Sequence, residues 1–418
     1  MNTPLQPTVA SGAAARGSDR HAWQRARRKA AMQALLLALP LLVFLLATFI
    51  APIASLLARS MQNPEVRDSM PQLTAALHAW DGSGVPGEPA FAALGQGLRQ
   101  SAETGELGNL ARRMNFYQPE FRSLLMKTAR ETRSQTPDAW KPALIQMDPR
   151  WADNETWRLL KRAASSPTPD YLLNAIDAQV APDGAVTSVA ADSAVYRAAF
   201  VRTIQISATV TLLCLLLGYP VAYLLATLPP KQGNRLMLFV IVPFWTSLLV
   251  RTTAWYVLLQ PGGVINAALM RFGVVHHPVP LIFNRTGVLI GMTHILLPYM
   301  ILAIYSVMKG VSPVYVRAAQ SLGAHPVTAF IRVYIPQTLP GVGAGCFLVF
   351  VLALGYYITP ALLGGAGDEM ISQLIASQTN EQLNWGLAGA LSCYLVIFTA
   401  LFYFVFNRLV GIDRLRFG

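Results

Sequence analysis

Six stretches of the chain stay apolar for about the 20 residues that a helix needs to cross a bilayer core of ~30 Å. They lie near residues 32–58, 201–226, 236–259, 286–308, 342–360 and 386–407, and no Asp or Glu interrupts any of them. Such a pattern leaves few folds open. Backbone N–H and C=O groups in lipid must be satisfied within the segment, so each stretch is expected as a helix. Composition agrees, with 53% hydrophobic and 13% charged residues, against the ~25% charged share of an ordinary soluble domain. The expected fold is an all-α membrane protein with six transmembrane helices. The first, residues 31–59, follows Arg25, Arg27, Arg28 and Lys29 as a leader peptide would. Its apolar run exceeds the roughly 7–15 residues of a cleaved leader, so it reads as an anchor. Cys214, Cys346 and Cys393 fall inside the stretches, where they form neither a disulfide framework nor a metal-ligand pattern. No metal site is expected.

The net charge of +12 is unevenly placed. Residues 61–195 hold 13 basic against 16 acidic side chains, leaving 20 basic against 5 acidic elsewhere. Of those 20, 14 sit in the N-terminal tail, the links 227–235 and 309–341, and the C-terminal tail, whereas the links 260–285 and 361–385 hold two, Arg271 and Arg285. Lys and Arg of short loops collect on the cytoplasmic side. Both termini and residues 309–341 are therefore expected inside, with residues 1–30 a cytoplasmic tail, unstructured to about residue 25. A nucleic-acid role would need a basic face on a folded domain. The one sizeable polar segment is slightly acidic, which excludes that role.

That segment, residues 60–195, is far longer than a connector. PAFAALGQGLRQSAETGELGNLARRM and PEFRSLLMKTARETR space their apolar residues as helices do, and WDGSGVPGEP and SSPTPD break them. Trp80, Trp140, Trp151 and Trp157 need burial. A large, mostly helical insertion on the external side is expected between the first and second helices.

Two features stand out within the apolar stretches. Cys214, Gly218 and Ala222 recur every four residues, a small-residue seam that lets helices approach closely. Arg251 stands alone in LMLFVIVPFWTSLLVRTTAWYVLL, and a charge at mid-bilayer costs about 2.5–3.5 kcal/mol on insertion scales. It is expected either to face a cavity or partner, or to snorkel toward the outer interface. Residues 315–342, YVRAAQSLGAHPVTAFIRVYIPQTLPGV, are polar by contrast. Ser312 and Pro313 form a cap and first-turn pair, and Gly323 suits a left-handed stop. Two short helices are predicted, the first over 313–322 and the second from Pro326 until Pro336 and Pro340 stop it.

The spacing Ala318-Ala319, Gly323, Val333, Ile335, Pro336 resembles the coupling loop of permeases in binding-protein-dependent ABC importers of type I. TLLCLLLGYPVAYLLA, PFWTSLLVRTTAW and LGYYITPALLGG resemble the spermidine/putrescine permease branch. The resemblance covers residues 200–418 and the first apolar stretch, and leaves the insertion unexplained. It implies a transmembrane permease core over 196–418 with a coupling loop at 310–341. There Arg317, Ala318, Ala319, Gln320, Ser321, Leu322, Gly323 and Pro326 would meet an ATPase. The family usually has Glu where this chain has Arg317, which reverses the charge offered to that partner.

The same resemblance implies a multi-pass protein of the bacterial inner membrane. Its partners would be two ATP-binding cassette ATPase subunits, a second homologous permease chain, a periplasmic solute-binding protein, and membrane lipid. The chain lacks GxxxxGK[ST], so ATP and Mg would sit on the partners, leaving no catalytic residue and no cofactor here. The implied cargo is a small cationic solute, a polyamine such as putrescine or spermidine. Aromatic faces suit ammonium groups, so the candidate pathway is Trp245, Trp255, Tyr299, Tyr356 and Tyr357, with Arg251 and Thr252; the competing reading of these aromatics is as core or interface anchors. Asp368, Glu369 and Glu381 lie where an entrance is expected, and Arg251 fits a polycation poorly. The insertion is expected either to dock or brace the binding protein or to be a stabilising cap without recognition. Two other classes compete. An ion-coupled secondary transporter should carry ionisable residues within its spans, where the reading finds Arg251. A membrane sensor with an external ligand domain should carry an inward output domain after the sixth helix. HExxH and GxSxG are absent, against a membrane enzyme.

Overall fold

Proline sets the character of several helices. The computed structural model describes residues 12–62, 64–118, 120–134, 137–181, 185–190 and 194–410. Residues 1–11 and 411–418 of the expected cytoplasmic tails lie outside the described residues. The chain divides into two units, Met1–Ala58 and Arg59–Gly418. In the first, a helix runs Gly12–Leu45, widens through a π turn at Leu46–Ile50, and resumes as Ala51–Arg59. It begins inside the stretch expected to be unstructured, because Ala and Arg are strong helix formers. The π turn lies just ahead of Pro52. Proline has no N–H for the preceding turn and its ring crowds the carbonyl there, and a widened turn relieves both. The Thr48 hydroxyl donates to the Phe44 carbonyl at 2.7 Å within the same turn.

In the second unit the insertion is helical as expected, with helices at Pro64–Ser69, Pro71–Ala79, Glu88–Thr104, Leu107–Tyr117, Phe121–Ser134, Trp140–Met147 and Asn154–Ala164. Its core gathers Phe91, Trp151 and Trp157 with Leu73, Leu94 and Leu124. The two buried indoles find partners: Trp157 Nε1 donates to the Trp151 carbonyl and Trp151 Nε1 to Thr128 Oγ1, both at 2.9 Å. Two short strands, Ala178–Val180 and Val186–Ser188, pair antiparallel with Ala178 opposite Ser188. The helical reading did not include them, though Pro182-Asp183-Gly184 is a turn signal in the sequence.

The insertion contains a carboxylate held in its ionised form by a neighbouring guanidinium. Asp148 accepts both Nε and Nη2 of Arg150 at 2.9 Å and the Arg150 backbone N–H at 3.2 Å. The Arg150 side-chain hydrogen bonds hold its carboxyl down to about 2. A depressed native pKa stabilises the fold above the unfolded value of about 4 and loses that contribution as pH falls through the native one. The full-length protein in detergent, followed by tryptophan fluorescence on heating, is expected to lose stability between about pH 4 and pH 2. Asp148→Asn should lower the melting temperature at pH 7 and flatten that decline. An unchanged slope would remove Asp148 as the cause.

The core of the second unit is three helices, Tyr196–Thr227, Arg285–Met308 and Ile335–Leu354, packed on one another. Ile206, Val210, Met292, Leu296, Met300 and Val349 fill the space between them. The small-residue seam lies here: a Cβ on Gly218 would meet Met300 Cγ at 3.2 Å. A second seam faces the same helix, where a Cβ on Gly341 would come 2.9 Å from Val307 Cβ and one on Gly345 2.7 Å from Met300 Sδ. These are close helix approaches of the small-xxx-small kind.

Two expected helices differ. The stretch 236–259 is not one straight helix but Pro230–Trp245 followed by Leu248–Leu258, bent by 98°. Pro243 lies in a tight 3-10 turn at Val242–Trp245, and Thr246 and Ser247 are extended after it. The stretch 342–360 is helical over Ile335–Leu354, then breaks before Ile358–Leu363. Pro336 and Pro340 do not stop the helix that starts at Pro326. A π turn at Phe330–Tyr334 absorbs Pro336 as the first unit absorbs Pro52, and Pro340 lies within the helix. Trp385–Val410 is the last helix among the described residues. Among the described residues, five helices are long and apolar enough to cross a membrane, or six with the bent pair counted as one.

The insertion is seated on this core. Tyr171, Ala175, Ala199, Ile371, Leu387, Ala390 and Leu391 form a shared apolar cluster. The Tyr171 ring lies against the backbone of Gly386, where a Cβ would overlap it. Arg112 Nη1 donates to the Gln382 carbonyl at 2.6 Å.

Candidate functional site

The polar segment after Met308 is built as the sequence predicts, over a slightly shorter helix. Ser312 Oγ accepts the Val314 N–H at 3.4 Å, and the helix spans Pro313–Ser321. Its end is a Schellman closure: the Ala324 N–H reaches the Ala319 carbonyl at 3.1 Å and the Gly323 N–H the Gln320 carbonyl at 2.9 Å. Gly323 has φ +90°, a backbone that costs any other L-residue strain. His325 Nδ1 then accepts the Val327 N–H at 3.4 Å, starting Pro326–Ala329.

One side of this segment is anchored and the other is free. Val316 and Phe330 pack toward the three-helix core, and Phe330 and Tyr334 each set an edge against Tyr223 at 5.3 Å. Arg317, Ala318, Gln320, Ser321, Gly323 and Pro326 are exposed, and Ala319 is half-buried. Leu322 is 90% exposed, with Val314, Tyr315, Val327 and Ile331 also open to solvent. Leu322 is thus an apolar knob standing among small residues on a segment that carries Lys309, Arg317 and Arg332.

The seven predicted pathway residues do not form one group. Arg251 and Trp255, one turn apart on Leu248–Leu258, look toward the Arg285–Met308 helix, where Trp255 meets the His294 ring at 5.4 Å. Arg251 lies within electrostatic reach of His294 and Tyr356, and Tyr356 of Tyr299. Tyr299 packs its edge on Phe244 at 5.0 Å. Arg251, Trp255, Tyr299 and Tyr356 are thus brought together. Thr252 turns away, buried, with its hydroxyl 3.3 Å from that of Thr359. Trp245, at the bend, is 75% exposed. Tyr357 lines a separate cavity of about 500 Å³ with Glu369, Gln373, Ser377 and Glu381.

The sequence reading missed His294. It treated Arg251 as the ionisable residue of the apolar stretches, yet His294 stands in GMTHILLPYM beside it. A single His in a run of Ile and Leu was the available signal. Arg202 is a further case, in the second turn of Tyr196–Thr227, where it donates to the Glu369 carbonyl at 3.0 Å.

Residues 199–412 match the family described as the binding-protein-dependent transport system inner membrane component. The chain belongs to this family. It is a multi-pass inner-membrane permease subunit of an ABC importer rather than an enzyme, and ATP hydrolysis in the family belongs to a separate subunit. It is 36% identical over 213 residues to the spermidine/putrescine transport system permease protein PotB of Escherichia coli strain K12, covering 51% of this chain and 78% of that one. The Haemophilus influenzae protein of the same description is 35% identical over 207 residues, with 50% and 72% covered. A solved bacterial ABC transporter involved in the import of the acidic polysaccharide alginate is similar at 19% identity, with TM-score 0.41 over 52% of this chain and 80% of that one. The permease family match begins at residue 199, beyond the insertion.

Proposed function

We propose that this permease carries a polycation of the putrescine/spermidine class into the cell. The observation that carries the reading is the 36% identity over 213 residues to a spermidine/putrescine permease. The bent pair counts as one of six spans. Both termini and residues 309–341 face the cytoplasm, where the basic links gather, and residues 60–195 face the periplasm. Two ATPase subunits take the exposed faces of Pro313–Ser321 on this chain and of its counterpart on a second permease chain. Arg317 is answered there by an acidic ATPase surface. A periplasmic solute-binding protein delivers the cargo, and the insertion, seated on the last helix, braces its docking. ATP and Mg bind the ATPase subunits. The cargo passes Trp255, Tyr299 and Tyr356, with Tyr357, Glu369 and Glu381 at the outer mouth, where carboxylates and aromatic faces attract ammonium groups.

The test is reconstitution of the complete complex in proteoliposomes with its binding protein. Uptake of labelled spermidine should require ATP, saturate, and be competed by putrescine. Uptake driven by a sodium or proton gradient without ATP would overturn the reading. Topology is checked in a background lacking Cys214, Cys346 and Cys393. A cysteine replacing Ser83 should react with a membrane-impermeant thiol reagent in intact cells, and one replacing Gln320 only after the membrane is opened.

A further inference from the structure

A half-open cleft of about 620 Å³ lies where the insertion meets the start of the last helix. Asn109, Arg112 and Asn115 line it from Leu107–Tyr117, Glu65 from Pro64–Ser69, and Gln382 and Asn384 from the segment just before Trp385. Arg112 and Arg113 against the one carboxylate leave it net positive. Gln382 also lines the cavity that holds Glu369 and Glu381, so a basic cleft and an acidic one share a wall. Arg112 is exposed, and its Nη1 is tied to the Gln382 carbonyl at 2.6 Å. Its Nε and Nη2 have no partner among the described residues. Those two nitrogens share the edge that grips both oxygens of a carboxylate, as the same edge of Arg150 grips Asp148. The nearby acids are otherwise engaged: Glu65 accepts the Tyr171 hydroxyl at 3.4 Å and Glu381 that of Ser377 at 2.9 Å.

We propose that this cleft docks the solute-binding protein through a carboxylate on the rim of its ligand opening, gripped by Arg112. The proposal rests on the importer reading above and adds the place and the sign of the contact. A protein that carries a polycation holds it with carboxylates. Once the cargo leaves, that acidic rim is repelled by Glu369 and Glu381 at the mouth. A basic site beside the mouth offsets the repulsion and sets the register of docking. Because the two cavities adjoin, a partner seated in the first brings its cargo to the second. A free polycation would not settle in the cleft, where it would face Arg112 and Arg113.

The experiment places the complete importer in proteoliposomes with its spermidine-loaded binding protein. It reads the binding-protein concentration that half-saturates ATP hydrolysis. Arg112→Glu should raise that value by about tenfold or more, because like charges then meet at the contact. Asn109 is exposed in the first turn of Leu107–Tyr117, so its replacement changes charge with the fold intact. Asn109→Asp should raise the value by about threefold and Asn109→Lys should lower it, both effects fading in high salt. Loosened packing could not give shifts of opposite sign from one position. Each Asp and Glu on the binding protein's rim is then changed to Lys in the Arg112→Glu background, and one such change should restore the wild-type value. A wild-type value in Arg112→Glu overturns the docking site, as do shifts of one sign from the two Asn109 variants or failure of every rim change to rescue. If the wild type answers the binding protein but takes up no spermidine, the substrate reading falls and the shifts still decide the cleft. A wild type that does not answer the binding protein sinks both.

Discussion

Leu322→Asp is expected to leave the protein folded and to uncouple it from ATP. Leu322 is 90% exposed at the end of a nine-residue helix. Substitutions at such surface positions usually change stability by no more than about 0.5 kcal/mol. An apolar anchor at the centre of an interface behaves differently: its loss costs about 2 kcal/mol or more, which is roughly thirtyfold in affinity. A carboxylate buried without a partner adds to that loss. The variant should elute as a monodisperse protein with the wild-type melting temperature, recover less than a tenth of the ATPase, and support no ATP-driven uptake. Ala319→Trp should act alike, because a half-buried small residue leaves no room for an indole under a docked partner. Recovery of the ATPase at the wild-type level would mean that the free face of Pro313–Ser321 is not where the partner sits.

Gly386→Val should loosen the insertion from the core. The Tyr171 ring already occupies the position of the new Cβ, and it has little freedom to retreat. It is buried, Arg113 lies over its face at 3.9 Å, and its hydroxyl donates to Glu65 at 3.4 Å. Overpacking a filled site costs about 1–3 kcal/mol, and outright overlap with a pinned ring belongs at the upper end. The expected readouts are a lower melting temperature and faster trypsin cleavage within residues 60–195 of the full-length protein in detergent. Tyr171→Ala added to Gly386→Val should recover part of the loss, since removing the ring makes room for the branched side chain. Wild-type proteolysis and melting in Gly386→Val would show that the Tyr171–Gly386 contact does not hold the insertion.

The parts legible in the sequence were those that depend on near neighbours. Apolar length marked the long helices because the bilayer imposes it on every segment alike. Ser312, Pro313 and Gly323 bounded the helix Pro313–Ser321 because capping and left-handed backbone are decided within four residues. Proline was harder to read. Pro336 looked like a stop, and the π turn that lets the helix pass through it has no signature beyond the proline itself. Pro243 sat in an unbroken apolar run, so the 98° bend was hidden by composition that suited a straight helix equally well. His294 was passed over because a lone imidazole among Ile and Leu looks like packing until Arg251 and Tyr356 are seen beside it. The Tyr171–Gly386 contact joins residues far apart along the chain, and nothing local to either marks it.

The π turn at Phe330–Tyr334 has a mechanical consequence. By letting the backbone run through Pro336 unbroken, it makes residues 326–354 a single rod of 29 residues, roughly 43 Å long at 1.5 Å per residue. One end starts at His325, beside the exposed knob of Leu322. The other stops two residues short of Tyr356, in the group around Arg251. A tilt of about 5° at the basic end would swing the far end by roughly 4 Å, about the width of a methyl group. A proline break at residue 336 would have put a joint in that rod, and motion imposed at one surface would have been spent in bending before it reached the other.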